Sequence, residues 1–186
     1  MTDPIKVVGI DPSLRNWGLA EGLYDLETGE LRIKHVEVVR PDLPDGKQVR
    51  QNSLDLESAY QHFLRSMQLI RNARAIFVEV PIGSQSARAM ASYGVSIGVL
   101  GSIRGSGKPF FEVSPTEVKL AGPGHKTATK SEMIEWAAAR HPEAPWPFQK
   151  NRIVESKAEH MADAIAAIHA GIAGKSFQQF KSLIYS

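Results

Sequence analysis

Apolar runs broken by polar turns divide this chain into short β-rich stretches first and longer helical periodicities later. Residues 5–10 are a short β-rich stretch stopped by Asp11-Pro12, which predicts a buried strand. Residues 17–24 and 31–39 predict two further strands, joined as a hairpin through Glu27-Thr28-Gly29-Glu30. The stretch from Arg40 to Gly46 carries Pro41 and Pro44 and reads as a loop. Across residues 52–72, Leu54, Leu56, Tyr60, Phe63, Leu64, Met67, Leu69 and Ile70 fall at the spacing of an amphipathic helix. Residues 75–80 are a buried strand ended by Pro81, and 110–113 another.

Between those strands, residues 85–104 predict a helix rich in small residues, among them Gly94, Gly98 and Gly101. Glycine lowers helix propensity, so close packing is expected there, against the sheet or equally against a second subunit. Ser114-Pro115 opens a short helix to Leu120, Gly122 to His125 is a loop, and 129–140 is a helix. After a proline-rich loop from Pro142 to Pro147, Ser156-Lys157-Ala158-Glu159 matches a capping box opening a last long helix to about Gly171 or Gly174. In the tail, Phe177, Phe180, Leu183 and Ile184 have helical spacing, and docking on the core is the expectation. The order gives an α/β fold: a mixed five-stranded sheet with helices on both faces.

A chain of 186 residues fits one domain with a full core. Cysteine is absent, which excludes a disulfide framework and thiolate metal sites. Met1-Thr2-Asp3-Pro4 has no basic, apolar leader character, and no run is long and apolar enough to span a bilayer, so a cytosol-like setting is expected. The net charge of +2 says little, but its distribution is uneven. Residues 113–130 hold Lys119, His125, Lys126 and Lys130 against Glu117 alone, and Lys150, Arg152 and Lys157 follow. That clustering suits either a solvated face or a polyanion.

Three acids stand where chemistry is easily placed. Asp11 and Glu79 each end an apolar strand, and Asp163 lies on the final helix one turn after His160. Neighbouring strand ends sit about 4.8 Å apart, and residues at i and i+3 share a helix face, so all four side chains can reach one pocket. Oxygen-rich sites suit hard divalent cations, and two ions about 3.5–4 Å apart can activate a water and stabilise a leaving oxygen in phosphodiester hydrolysis. Each residue also has a structural reading. Asp11 can cap a turn, Glu79 can pair with an arginine, Asp163 can be a helix-surface acid and His160 a core histidine. Glu159 is read as the capping-box residue.

These stretches together resemble the RuvC-type Holliday junction resolvases of the RNase H-like nuclease superfamily. Gly9-Ile10-Asp11-Pro12-Ser13 with Trp17-Gly18 resembles the first motif, Phe77-Val78-Glu79 the second acidic strand, and His160-Met161-Ala162-Asp163-Ala164-Ile165-Ala166 the last catalytic helix. Val118-Lys119 and Lys130-Ser131 resemble two basic positions, and the match spans residues 5–172. The resemblance implies an RNase H-like domain over 1–174, with 175–186 as a tail. It implies two Mg²⁺ or Mn²⁺ ions per active site held by Asp11, Glu79, His160 and Asp163, with Lys119 and Lys130 as active-site or DNA-backbone cations. It further implies a homodimer cutting four-way DNA junctions by paired nicks, in the cytoplasm with the nucleoid or in a phage host, with a branch-migration motor as a candidate partner. Two departures stand out. The position of His160 is often aspartate, and Val80-Pro81-Ile82-Gly83 lacks the aromatic often found after the glutamate. Other RNase H-like nucleases of branched DNA or RNA–DNA hybrids, and a non-catalytic junction binder, are the alternatives. An actin-like ATPase needs two lobes, for which the chain is too short.

Overall fold

Strand β1 (Ile5–Asp11) is the centre of the sheet in the computed structural model, which describes residues 3–44 and 50–184. Antiparallel β2 (Trp17–Tyr24) and β3 (Leu31–Val39) lie on one side of it. Parallel β4 (Ala75–Glu79) and β5 (Phe110–Val113) lie on the other, giving the order β3-β2-β1-β4-β5. The mixed five-stranded sheet expected from the sequence is therefore present. The predicted loop from Arg40 is irregular as far as Pro44, and Asp45 and Gly46 lie outside the described residues.

Alternation along the strands feeds two cores. Val8, Ile10, Ile76 and Val78 pack with Leu69 and Ile70 of α1 (Gln51–Ile70) and with Val99, Leu100 and Ile103 of α2 (Ala87–Arg104). Val7, Ala75 and Phe77 face the opposite layer. There α3 (Pro115–Ala121), α4 (Lys130–Arg140) and α6 (Lys175–Ile184) surround α5 (Glu155–Ala173). α6 inserts Phe177, fully buried, between Tyr24, Phe77 and Phe111.

α5 lies directly on the sheet because its sheet-facing positions are small and the strand beneath them offers glycine. A Cβ at Gly9 would land on the carbonyl oxygen of Ala164, and one at Gly18 on that of His160. Ala158, Ala162, Ala164, Ala166 and Ala167 are all buried in this contact layer. The opposite layer is less regular. α1 buries Asp55, Ser58, His62 and Ser66 and leaves Leu56, Tyr60 and Leu64 exposed. Trp17 explains part of this. Its indole stacks on His62 with ring centroids 4.9 Å apart and donates to Ser66 Oγ at 3.1 Å. His62 Nε2 donates to the Leu14 carbonyl at 3.0 Å, because a carbonyl only accepts. This fixes the turn that follows Asp11.

Two sequence expectations need correction, and two features go beyond them. The capping box is not at Ser156: α5 begins at Glu155, its N-cap is Val154, and no side chain caps it. Capping boxes form instead at Ser114/Glu117 and Thr129/Glu132, opening α3 and α4. The glycines of α2 do not serve packing within the chain, since a Cβ at Gly94, Gly98 or Gly101 would meet nothing within 4 Å. Finally, the stretch before α5 holds an unforeseen two-stranded hairpin, β6 (Phe148–Gln149) and β7 (Arg152–Ile153).

Candidate metal centre

The acidic site is assembled from both sides of the α5 layer. Ile10 pairs with Val78 in the parallel register, so Asp11 and Glu79 follow as neighbours at adjacent strand ends. Both have the parity of Val7 and Phe77, which places their side chains on the α5 face. From above, α5 presents His160 and Asp163, one turn apart. His160 Nδ1 contacts Asp11 Oδ2 at 2.7 Å. Gly18 permits this, because its missing Cβ lets the His160 backbone rest on β2.

Electrostatics tie the remaining acids to this pair. Burial and the charge of Asp11 push Glu79 up to about 8, with Lys119 partly offsetting them. Burial and the charges of Asp11 and Glu79 push Asp163 up to about 8 as well. Burial raises Asp11 despite its bond to His160. Burial alone would lower His160, but the bond to Asp11 and the charges of Asp11, Glu159 and Asp163 raise it. These carboxyls therefore share one poorly solvated environment with too little positive charge.

Lys119, half-buried on α3, is close enough to act on Glu79. Lys130, the first residue of α4, is held elsewhere: its Nζ lies 2.6 Å from Glu159 Oε1. Glu159 is therefore not a capping residue. It adds charge to the acidic cluster, acting on Asp11, His160 and Asp163, while tethering Lys130 beside it. Its position directly before His160 was the available signal, and the false capping pattern masked it. Arg40 was also missed. It donates to Asn16 Oδ1 at 3.0 Å and to the Ser156 carbonyl at 2.9 Å, bracing the turn after β1 against the start of α5.

The donor set, three carboxylates and an imidazole, suits a divalent cation such as Mg²⁺ or Mn²⁺, and the charge deficit is what such a cation would cancel. As the side chains stand, no three acidic or imidazole groups among the described residues converge on one point. Binding such a cation would require these side chains to move.

Over 174 residues, 91% of this chain and 88% of the relative, the sequence is 29% identical to the crossover junction endodeoxyribonuclease RuvC of Anaeromyxobacter sp. strain K. The RuvC of Anaeromyxobacter dehalogenans strain 2CP-1 matches equally. The chain is similar to RuvC along nearly its whole length. Thermus thermophilus RuvC superposes with a TM-score of 0.60 at 26% identity, covering 89% of this chain and 92% of that one. The T. thermophilus RuvC solved with a Holliday junction substrate gives 0.63 at 23% identity, with the same coverage. No family model matches the chain. The RuvC-like fold is thus the five-stranded mixed sheet already described, and the acidic cluster sits at the end of its central strands.

Proposed function

We propose that this chain is a metal-dependent, structure-selective DNA endonuclease that resolves four-way junctions by paired symmetric nicks. The observation that supports the reading is that Asp11 and Glu79 end adjacent strands in register on one sheet face, with His160 of α5 bonded to Asp11 and the charges of Asp11 and Glu79 acting on Asp163. The RuvC relatives supply the substrate class. In the reaction a water oxygen bonds to phosphorus and the P–O3′ bond breaks, leaving a 5′-phosphate and a 3′-hydroxyl. Asp11, Glu79, His160 and Asp163 would hold two Mg²⁺ or Mn²⁺ ions, which would supply an acidified water and stabilisation of the leaving oxygen. Asp11 holds His160 in place through Nδ1. Lys119 sets its charge against Glu79 and the charge developing on the phosphate. Lys130, 76% exposed beside Glu159, contacts the DNA backbone.

The protein works as a homodimer, supported by the uncovered Leu56, Tyr60 and Leu64 of α1 and the open glycine face of α2. Residues 1–174 form the nuclease domain, and 175–186 extend it. No helix among the described residues is long and apolar enough to cross a membrane, and we place the enzyme with DNA in the cytoplasm, where a branch-migration motor is a candidate partner. The deciding experiment is incubation with a synthetic immobile four-way junction and Mn²⁺. Symmetric ligatable nicks are expected, with none from Asp11→Asn or Asp163→Asn, while both variants still bind the junction. Equal cutting of three-way, linear or RNA–DNA substrates would overturn junction selectivity.

A further inference from the structure

The β6–β7 hairpin stands directly before α5 and takes no part in the acidic cluster. Its turn is Lys150-Asn151, with φ of 48° and 61°, so two non-glycine residues occupy the left-handed region of a type I′ turn. The hairpin is anchored at its base. Ile153 packs on the core, and the Val154 N–H donates to the Pro147 carbonyl at 2.8 Å. Phe148, the cross-strand partner of Ile153, is nevertheless 66% exposed and belongs to neither core cluster. An aromatic ring is thus held out on a rigid two-stranded support.

Charge surrounds that ring. Lys150, Arg152 and Lys157 are exposed, and among the described residues none of them forms an ion pair. By contrast Lys6, Arg65, Arg88 and Arg104 each have a carboxylate partner. Only Glu155 opposes the three cations between 148 and 157. An exposed aromatic flanked by unpaired cations is the combination that binds unstacked nucleobases and their phosphates. Position supports the same ligand. From Glu155 to His160 the helix rises about 7.5 Å, about two base-pair steps of B-DNA.

Resting on the reading of the chain as a branched-DNA nuclease, we propose that the hairpin is a nucleobase-binding element. Phe148 stacks on a base opened at the branch point, and Lys150, Arg152 and Lys157 hold the adjoining phosphates. The hairpin therefore favours branched over continuous duplex.

The test uses the full chain without divalent cation, on four-way junctions carrying 2-aminopurine at each branch-point position in turn. Wild-type binding is expected to change the fluorescence of at least one position. Phe148→Ala should abolish that change and weaken junction binding by about tenfold to a hundredfold. Linear duplex binding and the melting temperature should be unaltered, and Phe148→Trp should restore both DNA readouts. Replacing Lys150-Asn151 with Asn-Gly keeps the turn geometry, so combining it with Arg152→Ala should reduce the slope of log affinity against log salt by about two. Wild-type affinity and fluorescence in Phe148→Ala, with wild-type cutting intact, overturns the hairpin proposal alone. Loss of self-association without loss of DNA affinity also overturns it, in favour of a protein-contact role. A wild-type chain that neither binds nor cuts junctions overturns both readings. Should Phe148→Ala unfold, an unchanged salt slope in the charge variant overturns the proposal.

Discussion

Glu79 and Asp163 are each raised to about 8 from ordinary values of 4.5 and 3.8. Between those limits the folded, metal-free protein holds more protons than the unfolded chain, so its stability falls as pH rises. Below about pH 4 this contribution is fully present, and it is lost as pH passes 8. The melting temperature of the metal-free protein should therefore decline from pH 5 to pH 8.5, and Glu79→Gln or Asp163→Asn should flatten the decline. Added Mn²⁺ should restore stability most at the alkaline end, where the carboxylates are ionised. A melting temperature independent of pH in the metal-free wild type would show that these acids are well solvated. Glu117 and Glu132 act with opposite sign and in another window. Backbone hydrogen bonds at their capping boxes hold them low, so their contribution is lost as pH falls below about 4.5. His160 sets a second expectation. Imidazole favours borderline metals over Mg²⁺, so Mn²⁺ should support cleavage at least as well as Mg²⁺. A marked preference for Mg²⁺ in a metal titration would remove His160 from the ligand set.

How α5 meets the sheet decides how near His160 and Asp163 come to Asp11 and Glu79. Gly9 and Gly18 leave no room for a Cβ against the α5 backbone, and backbone cannot yield as a flexible side-chain tip can. Gly18→Ala should cost about 1–3 kcal/mol of stability through overpacking and shift His160 away from Asp11. Denaturant unfolding measures the first effect. Cleavage should fall further than the stability loss explains, which separates mispositioning from unfolding. This seating was only partly legible in the sequence. Strands β1 and β4 and the acids that end them could be read because buried parallel strands give continuous apolar runs stopped by polar residues, and β2 and β3 could be read from the turn signal between them. The same logic misled at Ser156, where a local capping pattern matched but Lys130 claimed Glu159 at 2.6 Å. The true capping boxes at Ser114 and Thr129 were equally visible as motifs. The β6–β7 hairpin escaped notice because Lys150-Asn151 lacks the glycine that marks such turns, and each strand is only two residues long. In α1 the apolar positions are divided: Leu69 and Ile70 are buried, while Leu56, Tyr60 and Leu64 point outward. His62, Ser66 and Asp55 are buried because Trp17 and Arg88 supply partners that no local pattern reveals.

At the scale of the whole molecule, the described residues of one chain carry one acidic cluster, whereas the proposed resolution of a four-way junction takes two cuts related by two-fold symmetry. On the proposed function two copies would face the junction together, and a closed two-fold dimer would use the same patch on each copy. The outward stripe of α1 fits that role. Leu56, Tyr60 and Leu64 are 72%, 56% and 41% exposed on successive turns, and on α2 Met90 and Ile97 are 45% and 47% exposed. Exposed apolar side chains at the spacing of one helix face suit an interaction site. The open Gly94, Gly98 and Gly101 positions would let a partner helix approach closely. The wild-type chain should sediment as a dimer, and Leu56→Glu with Leu64→Glu should yield a monomer. Because both side chains are exposed within one chain, the monomer should keep its far-ultraviolet spectrum. On a junction held in a supercoiled plasmid, the dimer should release linear product in one binding event. The double variant should accumulate singly nicked plasmid instead, since each monomer cuts one strand and departs. A variant that sediments as a monomer yet still cuts both strands in one event would show that pairing of the two sites arises from the DNA rather than from this surface.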